Sequence, residues 1–373
     1  MFDDIKVESD HCNDAFGEMK SQIKCLSLLL FVLCVSLCIS GCGNLGYYAQ
    51  SISGQMEILR KREPIASLLE DPQLDAKLRQ KLILVQEIRR YASETLALPD
   101  NDSYRSYADL HRRFVVWNVF ATPEFSFELQ EWCFPFAGCV RYRGYFSAAD
   151  AESYAQGLQQ TGMDVYVGGV EAYSTLGWFD DPVLNTILWR DNARLAGLIF
   201  HELAHQQLYV KGDTAFNEGF ASTVESEGVL RWLNDKNDAQ LAEEYRQFRL
   251  RNESFIALVK STRTQLEQVY LSAQDIAQKR TQKQSLIAQM QEHYQRLKQD
   301  WGGYRGYDAW FAHDINNAQL AGISTYQDYV PAFQRLLRQN QGDFAAFYRA
   351  VAALAAQDKQ QRDQSLQALL SSP

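Results

Sequence analysis

The sequence predicts a helix-dominated α+β fold, and three observations point to it. Helical spacing of apolar residues covers most of the 373 positions. Runs rich in β-branched and aromatic residues gather in one stretch, about residues 114–178. No internal repeat, low-complexity tract or Pro/Gly linker interrupts the chain, so residues 51–373 are expected to form one composite domain.

The elements follow in order. From Gln50 to Leu98, Ile58, Leu59, Ile65, Leu68, Leu69, Leu78, Leu82, Leu84 and Ile88 recur among charged residues, and Pro64 and Asp71-Pro72 punctuate the helices. Val115–Phe120 and Val165–Val170 read as strands of a small mixed sheet, with a helix over Ala148–Gly162 between them, capped by Ser147. Two helices within residues 192–232 come next. Leu195, Leu198, Ile199 and Leu203 give the first an apolar face, and Gly212 breaks the chain. Asp213 or Thr214 then caps the second, from about Ala215 to Trp232. Leu241–Trp301 is long, polar and heptad-like. It is read as a helical hairpin packed on the core, with a partner-binding coiled coil as the alternative. A last helical region covers Val330–Leu370.

The first of the paired helices carries His201-Glu202-Leu203-Ala204-His205. Residues four apart lie one helical turn apart on one face, so both imidazoles can aim at one point. Zn²⁺ accepts such nitrogens at about 2.0–2.1 Å, and a catalytic site adds a third protein ligand and a water. Glu202 stands beside the pair as a candidate general base. Glu218, in Asn217-Glu218-Gly219-Phe220-Ala221, is the candidate third ligand, and Glu225 falls two turns later on roughly the same face. The alternative is a helical hairpin with two satisfied core histidines. Leu208 and Lys211 stand where a metzincin needs a glycine and a third histidine, which excludes that class. The other histidines, His11, His111, His293 and His313, are not spaced as a second metal pair.

H-E-L-A-H-Q followed by N-E-G-F-A-S-x-V-E resembles the gluzincin metallopeptidases, most of all their zinc aminopeptidases. The resemblance implies gluzincin-like zinc helices beside the sheet and one Zn²⁺ held by His201, His205 and Glu218, with Glu225 and Asn217 in support. The connection between His205 and Glu218 is shorter here than in the larger aminopeptidases. Residues from about Gly41 onward also resemble a family of bacterial lipoproteins described as predicted aminopeptidases. That likeness adds Trp132–Cys139, Arg143–Phe146, Gly168–Val183 and Asn316–Leu320 to the zinc motif. In gluzincins an edge strand beside the zinc helix pairs with an extended substrate. Val165–Trp178 is placed to be that strand, and Gly168–Ala172 is loosely similar to a glycine-rich exopeptidase motif. Gly169, Glu171 and Tyr173 are therefore the candidate substrate-binding residues, with Glu171 holding a free α-amino group; a surface glutamate after a strand is the plainer alternative. The family also uses a tyrosine or histidine to meet the oxyanion. Tyr326 is the candidate, in competition with Tyr304, Tyr307 and His313.

Residues 1–41 read as an export leader. Lys20 and Lys24 precede the apolar run Leu26–Leu37, which is short for a membrane span. The run ends in Leu37–Cys42, which resembles a lipobox and implies lipidation of Cys42, a tether over residues 42–50 and an outer-membrane location facing the periplasm; an ordinary membrane anchor is the alternative. Six acids against Lys6 before Met19 oppose the usual orientation, so Met19 is the expected start. Of seven cysteines, Cys133 and Cys139 alone lie in the body, and in an oxidising compartment they read as a disulfide.

Formal net charge is −9, or −6 without residues 1–41, which carry six acids and three bases. With no basic patch, nucleic acid is not an expected partner. The function expected is a zinc-dependent metallopeptidase removing N-terminal residues from peptides. An envelope endopeptidase and a non-catalytic scaffold with structural zinc are the alternatives. The intact Glu202 argues against the scaffold, since a structural site needs no base.

Overall fold

The computed structural model describes residues 46–134, 138–172, 174–175, 179–323 and 329–371. Contacts group the chain into residues 1–56 and 57–373. In chain order the elements begin with α1 (residues 46–61), β1 (Glu63–Pro64), α2 (Ile65–Glu70), α3 (Ala76–Glu94), β2 (Ser106–Ala108) and β3 (Val116–Pro123). There follow β4 (Trp132–Phe134), β5 (Gly138–Val140), β6 (Arg143–Tyr145), α4 (Ala148–Gln159), β7 (Met163–Val170), β8 (Val183–Leu184) and α5 (Asn185–Leu188). The remainder is helical: α6 (Asn192–Gln207), α7 (Thr214–Asp235), α8 (Ala239–Leu271), α9 (Ile276–Asp300), α10 (Asp308–Phe311), α11 (Asn317–Gly322), α12 (Val330–Gln339), α13 (Phe344–Ala355) and α14 (Lys359–Ser371). The α+β class is as expected, and among the described residues no helix is long and apolar enough to cross a membrane.

Local chemistry sets the helix starts. Asp75, Ser147, Asp191, Asp213, Asp238, Asp275 and Asp343 each accept a backbone N–H of the first turn that follows. Such a cap satisfies a donor that the helix itself leaves open, at about 1 kcal/mol each. Asp213, rather than Thr214, caps α7. Asp275 completes a reciprocal capping box with Gln278, which turns α8 into α9 as the expected hairpin.

The strands depart from expectation in their arrangement. Among its described residues, the stretch 114–178 holds no mixed sheet. It carries an antiparallel sheet in the order β6-β3-β7, and a disulfide-linked β4-β5 ribbon in which Cys133 faces Cys139. The mixed sheet is a separate one, in which β2 pairs antiparallel with β1 and parallel with β8. Alternation in a sequence reports which face of a strand is buried and says nothing about which strand lies beside it. In the antiparallel sheet β3 runs fully paired with β7, from Val116 opposite Val170 to Pro123 opposite Met163. The Phe120 ring lies 3.5 Å from where a Cβ on Gly322 would stand, so its face meets α11. Val119, Ala121 and Val165, on the opposite face, are buried toward α4.

The largest core joins α3, α6, α7 and α12–α14. Phe216, Phe220, Phe333 and Phe347 are fully buried, with the rings of Phe216 and Phe333 edge to face at 5.1 Å. Each such side chain contributes about 1.5–3 kcal/mol. A second core, around Phe255, Leu258, Val259, Leu266, Met290 and Tyr294, holds the α8–α9 hairpin.

Candidate metal centre

Helix α6 is buried on most sides, by Ala193, Leu195, Ala196, Gly197, Ile199, Phe200, Leu203 and Ala204. A helix so enclosed fixes the rotation of its remaining polar residues. His201 and His205 leave α6 on the side where α7 passes. There His201 Nε2 and His205 Nε2 stand 3.1 Å apart. Glu218, in the first turns of α7, brings Oε2 to 3.4 Å from His201 Nε2 and Oε1 to 3.6 Å from His205 Nε2. Among the described residues, His201, His205 and Glu218 are the group whose three ligand atoms converge, all within 4.8 Å.

The loop that turns α6 into α7 is clasped by the side chain of Asn217. Its Oδ1 accepts from Val210 N and its Nδ2 donates to Val210 O, both at 2.8 Å. The two bonds satisfy a buried amide and close the turn, so the shortened connection still delivers Glu218 to the histidines. Behind Asp213, the α7 cap, Arg362 of α14 donates from Nε and Nη2 to Oδ2 at 2.9 and 2.7 Å.

Glu225, two turns along α7, reaches the far side of His201, with Oε2 3.1 Å from Nδ1. A Cβ at Gly197 would stand 3.1 Å from Glu225 Cγ and Oε1, so the glycine one turn before His201 leaves Glu225 its approach. That glycine is the sequence signal that α7 passes close. Glu202 is turned toward the Ser174 hydroxyl, and Asp181 lies nearby. Asp181 is itself held by Ser174, by Thr175 N at 2.8 Å and by Thr175 Oγ1 at 2.9 Å. Tyr104 also hydrogen-bonds Ser174 and lies within the field of Glu202. Ser174, Asp181 and Tyr104 come from segments whose spacing carries no metal-site signal, so pattern reading missed them.

The protonation pattern is that of a site prepared for a cation. Burial lowers the His201 imidazole, but hydrogen bonds to Glu218 and Glu225 outweigh it and hold the group well above its usual value. Burial and the neighbouring His201 bring His205 down to about 4. Glu218 is raised by burial, yet the two histidines pull it below the usual carboxylate range. Burial pushes Glu202 up, the sense required of a proton acceptor working near neutrality.

These donors fit Zn²⁺. Two ligands at about 2.0–2.1 Å on neighbouring corners of a tetrahedron stand about 3.3–3.4 Å apart. The three separations here, 3.1, 3.4 and 3.6 Å, bracket that value. Two imidazoles and one carboxylate are also the donor set of catalytic rather than structural zinc sites.

The other candidates stand as follows. Cys42, Tyr173 and Tyr326 lie outside the described residues. Glu171 follows β7 and its carboxylate is paired with Arg190 Nη2 at 2.9 Å. Gly169 has a structural task, because a Cβ there would stand 2.4 Å from the Phe114 ring. Tyr307 stacks on Phe255 at 4.3 Å and Tyr304 lies under Arg251, both in the α8–α9 core region. The polar Asn316–Gln319 stretch is a set of clasps: Asn316 Nδ2 donates to Val165 O, Asn317 Nδ2 to Glu124 O, and Gln319 Nε2 to Trp310 O.

A family model described as "Putative aminopeptidase" matches residues 46–366. No curated protein and no solved structure matches the chain.

Proposed function

The chain belongs to that family, and on that premise we propose that it is a zinc-dependent metallopeptidase that removes N-terminal residues from peptides. The observation that carries the reading is the convergence of His201, His205 and Glu218 beside a half-buried, upshifted Glu202. Bound Zn²⁺ would lower the pKa of a water to near 7 and polarise the scissile carbonyl. Glu202 takes the proton of the attacking water and delivers it to the leaving amine. Ser174 orients the Glu202 carboxylate, and Glu225 fixes the His201 ring.

The edge of the antiparallel sheet supports a peptide substrate. In the order β6-β3-β7, one side of β7 has no strand partner among the described residues. Val165 O, on that side, accepts from Asn316. Ladder alternation turns Val167 and Gly169 the same way, so their backbone groups are available to an extended chain. Capture of the α-amino group is assigned to Glu171, which would have to share its carboxylate with Arg190. A lipid anchor at Cys42 and action at the outer membrane, on the periplasmic side, complete the proposal.

The test is turnover of free and N-acetylated peptides by zinc-loaded and chelator-treated protein. Free peptides should be cleaved only with zinc, and acetylated ones slowly. Equal rates on both would replace the aminopeptidase reading by the endopeptidase one. No cleavage of either would leave the scaffold reading.

A further inference from the structure

Next to the metal ligands stands a row of aromatic side chains that the hydrolytic chemistry does not use. The Tyr209 ring meets the His205 ring edge-on, with centroids 6.2 Å apart. Phe120 lies 5.9 Å from Tyr142 and stacks on Tyr166 at 6.3 Å. Burial and the Tyr209 hydroxyl both push the Tyr142 hydroxyl upward, so these two tyrosines lie within each other's field.

Four separate segments build it. Tyr166 on β7 and Phe120 on β3 are directly opposite in register. Tyr142 stands in the turn between β5 and β6, and Tyr209 just beyond α6. Gly168 makes room for one ring, since a Cβ there would stand 3.0 Å from Tyr166. The outer members keep much of their surface in water, 44% for Tyr142 and 50% for Tyr209. Exposed tyrosines scattered singly are ordinary features of a surface. Here Tyr209 meets the ring of His205, and Tyr142 meets the paired rings of β3 and β7 through Phe120.

We infer that Phe120, Tyr142, Tyr166 and Tyr209 form the side-chain subsite of the enzyme, which takes a large apolar or aromatic side chain from a peptide residue flanking the scissile bond. The inference rests on the peptidase reading above. Aromatic rings offer extended apolar area at fixed orientation, and they attract another ring in offset or edge-to-face geometry. A small side chain leaves that area in water, and a charged one loses hydration against it without a partner.

The experiment uses zinc-loaded protein and short peptides with Phe, Leu, Ala or Lys on either side of the cleaved bond. At one of the two positions, kcat/KM for Phe or Leu should exceed that for Ala or Lys by about ten-fold or more. Tyr142→Ala should reduce the ratio to about three-fold or less, and Tyr142→Trp should keep it, with zinc content the same in both. Discrimination that is absent from the wild type, or that survives in both Tyr142→Ala and Tyr209→Ala, overturns the subsite.

A second measurement separates this outcome from failure of the peptidase reading. Binding of the same peptides to zinc-loaded Glu202→Gln protein, followed by calorimetry, should show the same order. Selective binding lost in Tyr142→Ala, without turnover by the wild type, supports the subsite and removes the hydrolytic reading. Turnover without discrimination does the reverse. Neither turnover nor selective binding removes both.

Discussion

Glu225 Oε2 sits 3.1 Å from His201 Nδ1, on the opposite side of the ring from the Nε2 atom that faces His205 and Glu218. With zinc bound, the contact would hold the proton on Nδ1 and leave Nε2 as the ligand atom. Glu225→Ala should therefore weaken zinc binding by about 10–100-fold without abolishing it. Competition against a chelator of known affinity measures the change. An unchanged affinity would take Glu225 out of the site.

Glu202→Gln keeps the size of the side chain and removes its capacity to take a proton. Zinc content should remain that of the wild type, while turnover falls about 10²–10⁴-fold. Metal analysis and peptidase assay on one sample decide the matter, and near-normal turnover would place the base elsewhere.

Zinc uptake should release a proton. His201, raised by Glu218 and Glu225, is charged in the metal-free protein at pH 6, whereas His205, brought down to about 4, is already neutral. Zinc binding at pH 6, followed by calorimetry in buffers of different ionisation enthalpy, should show about one proton leaving per ion. Affinity should fall as the pH is lowered further. In chelated protein the sign is opposite. The raised His201 contributes stability that is complete below the unfolded value of 6.5 and is lost as pH rises through its folded value. Zero protons released would contradict the charge assignment.

Arg362→Ala leaves Asp213 buried and without its guanidinium partner, at the start of the helix that carries Glu218. Removing one member of a buried pair costs about 3–5 kcal/mol. Denaturant unfolding should register that loss, and Asp213→Asn in the same background should recover part of it. A variant as stable as the parent would mean that α14 does not hold α7.

Reduction of the Cys133–Cys139 disulfide should cost less than the loss of Arg362. Both cysteines lie on the exposed β4-β5 ribbon, and the bond spans a sequence separation of only 6. Closing so short a loop is worth roughly 2 kcal/mol. Thermal melts with and without reductant test this, and collapse of the whole fold on reduction would contradict it.

The sequence by itself determined the features that depend on neighbours along one chain segment. His201 and His205 share a helix face because four residues make about one turn. Asp213 and Ser147 cap their helices because the N–H groups they bind lie three residues on. The α8–α9 hairpin was legible for the same reason. Tertiary structure alone decided what depends on partners far away. Ser174 and Asp181 reach Glu202, Arg190 takes Glu171, Arg362 closes behind Asp213, and β8 joins β2 across some seventy-five residues. The aromatic row next to His205 belongs to this second group. Periodicity encodes which way a side chain points from its own element, and it carries no term for what another element will place in front of it.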